Sequence, residues 1–158
     1  MTTLTSIDYS ELICYIGYAK YRKLFNKTQI NKLLYICYGF YLAKTGQVLF
    51  KDDTPKAWPF GPVFPRVNKR FISDRIPVSF SLEKQCEFKK DQLAIQIVEQ
   101  VVDRYHNTTA KTLSDWSHEE GGPWSLTVYG ENLNQSPQWG KQIKDQDISE
   151  YFKGFLIG

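Results

Sequence analysis

Hydrophobic residues between Ile30 and Ala43 first follow and then overfill the helical repeat. Ile30, Leu33, Leu34, Cys37, Tyr38 and Tyr41 lie on one stripe, and Ile36, Phe40 and Ala43 make the far side apolar too. A helix apolar nearly all round is buried on most sides, so the pattern predicts a central helix around which a domain is built. Its ends are signalled as well. Asn26 stands at the N-cap with Gln29 in capping-box spacing, and Phe25 and Ile30 are placed for a hydrophobic staple. Gly46, after Lys44 and Thr45, supplies the C-terminal stop.

Weaker periodicities predict the other elements. Leu12, Ile13, Ile16 and Ala19 give one apolar face to a helix over about 8–20, and Leu93, Ile97, Val98, Val101 and Tyr105 do the same after Asp91. Thr108 or Thr109 caps a short helix ending near Ser117. Asp147, with Glu150 in capping-box spacing, opens a last helix docked by Ile148, Tyr151, Phe152 and Phe155. Pro65 suits the first turn of an amphipathic helix from Phe64 to about Ile72, with Val67 and Phe71 inward and Arg66, Lys69 and Arg70 outward. Val48–Phe50 and Val78–Leu82 read as short strands, and the rest of 73–90 as irregular. The expected fold is mainly α (α+β): one compact helical domain over 1–158 around a buried central helix, with a small β element next to a proline-rich loop.

That loop is the least ordinary part of the chain. Four of the seven prolines fall between Pro55 and Pro65, interleaved with Trp58, Phe60, Val63 and Phe64. Proline fixes φ and removes a donor, so the run is neither helix nor central strand. Such a stiff aromatic segment either braces a core or presents a preordered surface, whose low entropy favours binding. Trp58 and Pro62 suit the first role, and the flank from Phe60 to Arg70 suits the second.

Composition narrows the class. The chain has 158 residues, 42% hydrophobic and 23% charged, ordinary values for a globular domain. Three cysteines, Cys14, Cys37 and Cys86, are spaced unlike a disulfide framework or a CxxC metal site, which points to a reducing compartment. No leader pattern is read at the N-terminus, and the longest apolar run is about half a membrane span, so the expected setting is the cytoplasm, away from membranes. The net charge of +3 conceals an asymmetry, because residues 1–90 hold fifteen Lys/Arg against seven Asp/Glu and residues 91–158 hold five against ten. This reads either as internal complementarity or as two surfaces of opposite sign, one of which steers a partner.

Candidate chemistry is sparse. His118, Glu119 and Glu120 stand close to Trp124, but the only other histidine is His106, and no metal-ligand spacing accompanies either. His118 reads as closing a helix and bonding a nearby carbonyl, after which Gly121-Gly122-Pro123 swings Trp124 onto the core. No GxGxxG, GxxxxGK[ST] or GxSxG occurs. The expectation is no enzyme, no catalytic residue, no cofactor and no metal. Arg66, Lys69 and Arg70 form too small a basic face to indicate nucleic acid.

Taken in order, Asn31-Lys32-Leu33-Leu34-Tyr35, Gly46, Ala57-Trp58-Pro59-Phe60-Gly61-Pro62-Val63, and His118-Glu119 with Pro123-Trp124 resemble the Panacea domain family, the SocA-like and GepA-like proteins. The resemblance spans about 28–155 and is most specific in Trp-Pro-Phe-Gly-Pro-Val. It implies a mainly helical protein without established catalytic residues, acting as the antitoxin of a bacterial or prophage toxin–antitoxin pair. The partner it implies is a protein toxin, encoded by an adjacent gene and neutralised by direct contact. Alternatives are a proteolytic adaptor that hands its partner to a protease, a phage accessory protein binding a host factor, or a nucleic-acid-binding protein. The motif residues are then structural, and the residues chosen for partner contact are Tyr35, Phe60, Arg66 and Arg70.

Overall fold

The computed structural model describes residues 3–71, 80–130 and 136–155. Their chain order is α1 (Ser6–Tyr21), α2 (Lys27–Thr45), β1 (Lys56–Trp58), β2 (Gly61–Val63), α3 (Pro65–Arg70), α4 (Leu82–Lys89), α5 (Gln92–Tyr105), α6 (Ala110–Ser117), α7 (Pro123–Tyr129) and α8 (Asp145–Lys153). The fold is mainly α, as expected.

Helix α2 is the hub. It packs against α1, α5, α6 and α8 and against β2, and thirteen of its nineteen residues are buried. Its ends form as the sequence predicts. Asn26 and Gln29 exchange side-chain bonds in a full capping box, and Gly46 closes the helix in the left-handed region at φ 74°. Around α2 lies one aromatic-rich core in which Tyr38, Phe50 and Phe64 meet in tilted and edge contacts.

Several boundaries differ from the sequence expectation, each for a local reason. Helix α1 starts at Ser6 because Thr5 and Asp8 form a second capping box. Helix α8 starts at Asp145 after Lys144, so Asp147 lies in its first turn and makes no capping box with Glu150. Phe155, placed by its spacing to dock α8, is 56% exposed. Val48–Phe50 is not a strand. Leu49 and Phe50 are buried side chains on an irregular connection. Phe80 and Ser81 pair with no strand, Leu82 opens α4 under a Ser81 cap, and Val78 and Ser79 lie outside the described residues. Helix α7, absent from the sequence reading, begins with Pro123 at its first position after Gly122, where proline is favoured.

The β element lies inside the proline-rich run. β1 and β2 pair antiparallel with Lys56↔Val63, Ala57↔Pro62 and Trp58↔Gly61. Proline fits at position 62 because Ala57 turns its own groups outward. Its N–H donates to the Lys141 carbonyl and its carbonyl accepts from Gly140 N–H, each at 2.8 Å. The missing N–H of Pro62 therefore leaves no ladder bond unmade.

Candidate functional site

The two strands turn at Pro59 and Phe60. Four carbonyls along the hairpin, those of Trp58, Pro59, Phe60 and Pro62, accept from side-chain donors. Side chains from distant helices supply them. The Trp124 indole N–H donates to the Trp58 carbonyl at 2.7 Å, the Ser114 hydroxyl to the Phe60 carbonyl at 2.8 Å, and the Lys32 ammonium to the Pro62 carbonyl at 3.2 Å. At the base of β2, Asn31 Oδ1 accepts from Phe64 N–H at 2.9 Å. His118 joins α6 to the turn, its Nε2 2.8 Å from the Pro59 carbonyl and its Nδ1 on the Ser114 carbonyl. A carbonyl only accepts, so a neutral ring donates to one of the two and the imidazolium to both. Each bond contributes about 1 kcal/mol net, but orphaning a buried partner costs about 1–3 kcal/mol. The hairpin is thus clamped from α2, α6 and α7 at once.

Gly61 is required by two features. Its φ is 114°, and an added Cβ would lie 2.6 Å from Ser117 Oγ and 2.8 Å from Lys32 Cε. The close approach of Lys32 to this backbone needs both.

Lys32 is 1% exposed, and burial holds its amine down at about 8 from the usual 10.5. The sign follows directly. Below pH 8 the amine is protonated in folded and unfolded chains alike, so the burial penalty is constant. Between about 8 and 10.5 only the unfolded chain holds the proton, so stability contributed by Lys32 rises with pH. Burial raises the Cys37 thiol and the Tyr9, Tyr35 and Tyr38 hydroxyls, and these act in the opposite direction at higher pH. A comparison with Lys32→Met isolates the amine. Denaturant unfolding from pH 7.5 to 10 is expected to show the wild type gaining about 2 kcal/mol relative to the variant; parallel profiles would disprove it.

Five further motif residues are packed or hydrogen-bonded within the fold. Leu33 and Leu34 are fully buried. Val63 is 6% exposed and Pro123 is buried at the start of α7. Glu119 accepts from the Tyr151 hydroxyl at 2.7 Å, tying the loop after α6 to α8. His118 and Glu119 are therefore both engaged in holding the fold. Among the described residues, no three His, Cys, Asp or Glu side chains converge as metal ligands.

The four residues chosen for contact do not form one patch. Tyr35 is 2% exposed, its ring against Trp116 and Phe152. It lies on the side of α2 that packs against α6 and α8, so it offers no surface in this conformation. Phe60 stands at the turn, 76% exposed. Arg66 and Arg70 are exposed on α3, beyond the other end of β2, and Arg70 approaches Glu11 at 3.6 Å. Asn31 heads the motif read from the sequence but had no role attached to it there, and Ser114 and Ser117 were not assigned to the site. Trp139, 48% exposed and 6.1 Å from Trp124, was also missed.

The family model described as "Antitoxin SocA-like, Panacea domain" matches residues 30–125, a span holding the hairpin and every side chain that clamps it. Antitoxin SocA of Caulobacter vibrioides (strain NA1000 / CB15N) is 28% identical over 134 residues, covering 78% of this chain and 70% of that protein. No solved structure matches significantly. No helix among the described residues is long and apolar enough to cross a membrane. With the family model covering more than half of its length, the chain belongs to the SocA-like Panacea domain family.

Proposed function

We propose that this chain is a cytoplasmic, single-domain antitoxin that neutralises a protein toxin by direct contact and performs no catalysis. The observation that carries the reading is Phe60. A large aromatic ring stands in solvent on a turn whose carbonyls are held by Trp124, His118, Ser114 and Lys32. Ordering costs oppose binding, and a preordered loop avoids most of them. Buried aromatics and arginines dominate protein interfaces, so Phe60 is the anchor, and Arg66 and Arg70 on α3 offer a separate cationic contact. The similarity to antitoxin SocA supports a toxin as the partner.

Co-expression with the product of the adjacent reading frame tests this. Growth should be restored and the two proteins should co-purify at constant toxin level. No rescue and no co-purification would sink the antitoxin reading. A partner level that falls only in cells with an active protease would replace blocking by proteolytic delivery.

A further inference from the structure

Helices α2 and α5 leave a cleft of about 240 Å³ between them, away from the hairpin clamp. Ile97 and Val101 line its base and, at 3% exposed each, offer almost no surface of their own. The apolar surface open to a partner is that of Phe40, half-buried, and Phe155, 56% exposed. The rim carries two cations, Lys44 from α2 and Arg104 from α5, and both are exposed. Neither is in an ion pair among the described residues.

The acidic residues of α5 do not compensate them. Asp103 receives Lys20 at 2.7 Å and the Tyr21 hydroxyl at 2.6 Å, and Glu99 adds to the field around Lys20, so both carboxylates serve the side facing α1. Charge is thus sorted across α5, with Asp103 toward α1 and, at the cleft, two cations without an ion pair among the described residues, Arg104 lying 5.8 Å from the Tyr105 ring centroid. The volume is below the roughly 300 Å³ at which drug-sized ligand pockets begin. It suits a few side chains of a docking segment.

We propose that this cleft receives an acidic amphipathic helix of a protein partner, apolar side chains against Phe40 and Phe155 and carboxylates against Lys44 and Arg104. Helix-in-groove recognition takes this form, and the rim charges set its on-rate and salt dependence. The inference rests on the reading of the chain as a binder of another protein, but its test needs no toxin.

The probe is a helical peptide with leucines at i, i+3, i+4 and i+7 and glutamates elsewhere, titrated into the isotope-labelled full chain at low and high salt. Amide shifts should centre on Phe40, Lys44, Arg104 and Phe155. The double variant Lys44→Glu/Arg104→Glu, which changes only exposed side chains, should bind at least about tenfold more weakly with unchanged melting. A twin peptide with lysines for glutamates should not bind the wild type. No shifts at millimolar peptide, shifts elsewhere, or equal affinity for the double variant or for the lysine twin would each overturn the proposal. Sedimentation of the free chain adds one more outcome: a dimer that the double variant dissociates would assign the cleft to a second copy and overturn it too. A chain that fails to rescue growth can still pass this test, and one that rescues can still fail it.

Discussion

Gly39→Ala is expected to loosen α8 from the centre of the molecule and remove a large part of the folding free energy. Gly39 lies on α2 where Phe152 crosses it, and an added Cβ would stand 2.3 Å from both Cδ2 and Cε2 of that ring. The obstacle is a rigid ring enclosed by others. Phe152 is 1% exposed and makes edge contacts with Tyr35 at 5.6 Å and Phe40 at 5.1 Å. It has no free space to swing into, so the methyl displaces it. The loss approaches that of deleting a core phenylalanine, about 3–5 kcal/mol, against a typical total of about 5–15 kcal/mol. Two tethers on α8, Tyr38 to Asp145 at 2.7 Å and Tyr151 to Glu119 at 2.7 Å, are lost as well if the helix leaves. A double-mutant cycle reads the mechanism. If the clash is the cause, Gly39→Ala/Phe152→Ala should be hardly less stable than Phe152→Ala alone. Costs that simply add would show that the glycine matters for another reason.

Phe60→Ala carries the second large effect, on binding with the fold left alone. The side chain makes no hydrogen bond in the described structure and is mostly in solvent, so its removal should change stability by less than about 0.5 kcal/mol. If Phe60 fills a pocket on the toxin, truncation should cost about 2 kcal/mol or more, roughly 30-fold in affinity. Calorimetry of the complex, with thermal melting of the free chain beside it, separates the two quantities. A contrasting variant sharpens the result. Trp124→Phe keeps an aromatic ring but removes the indole donor to the Trp58 carbonyl and part of a buried ring system, so it should lower stability by at least about 1–3 kcal/mol and weaken binding through a looser turn. Unchanged affinity for Phe60→Ala would remove the hairpin tip from the interface.

Much of the helical frame was legible because its signals are local. The Asn26–Gln29 box, Gly46, Pro65, Asp91 and Thr109 each act within one turn of the residues they cap, and each stands where the sequence reading put it. Helix α4 escaped because only Phe88 of its eight residues is buried, which leaves almost no apolar stripe to detect. The hairpin escaped for a different reason. Its outer strand bonds to residues 139–143 and its turn to side chains on three helices, and no window of sequence contains those partners. Tyr35 misled because its position on α2 faces Trp116 of α6 and Phe152 of α8, two partners far away in sequence. The motif as a unit was visible, and its physical role as a set of carbonyl clamps became apparent only in three dimensions.

The side-chain clamps on the turn grip main-chain oxygens. Lys32, Ser114, His118 and Trp124 hold carbonyls that any residue would provide, and none touches the ring of Phe60 by a hydrogen bond. The scaffold is therefore indifferent to the letter written at position 60. Mutation there can rewrite what the tip recognises without reopening the question of whether the chain folds, which makes that one position a cheap site for divergence when a partner's surface drifts.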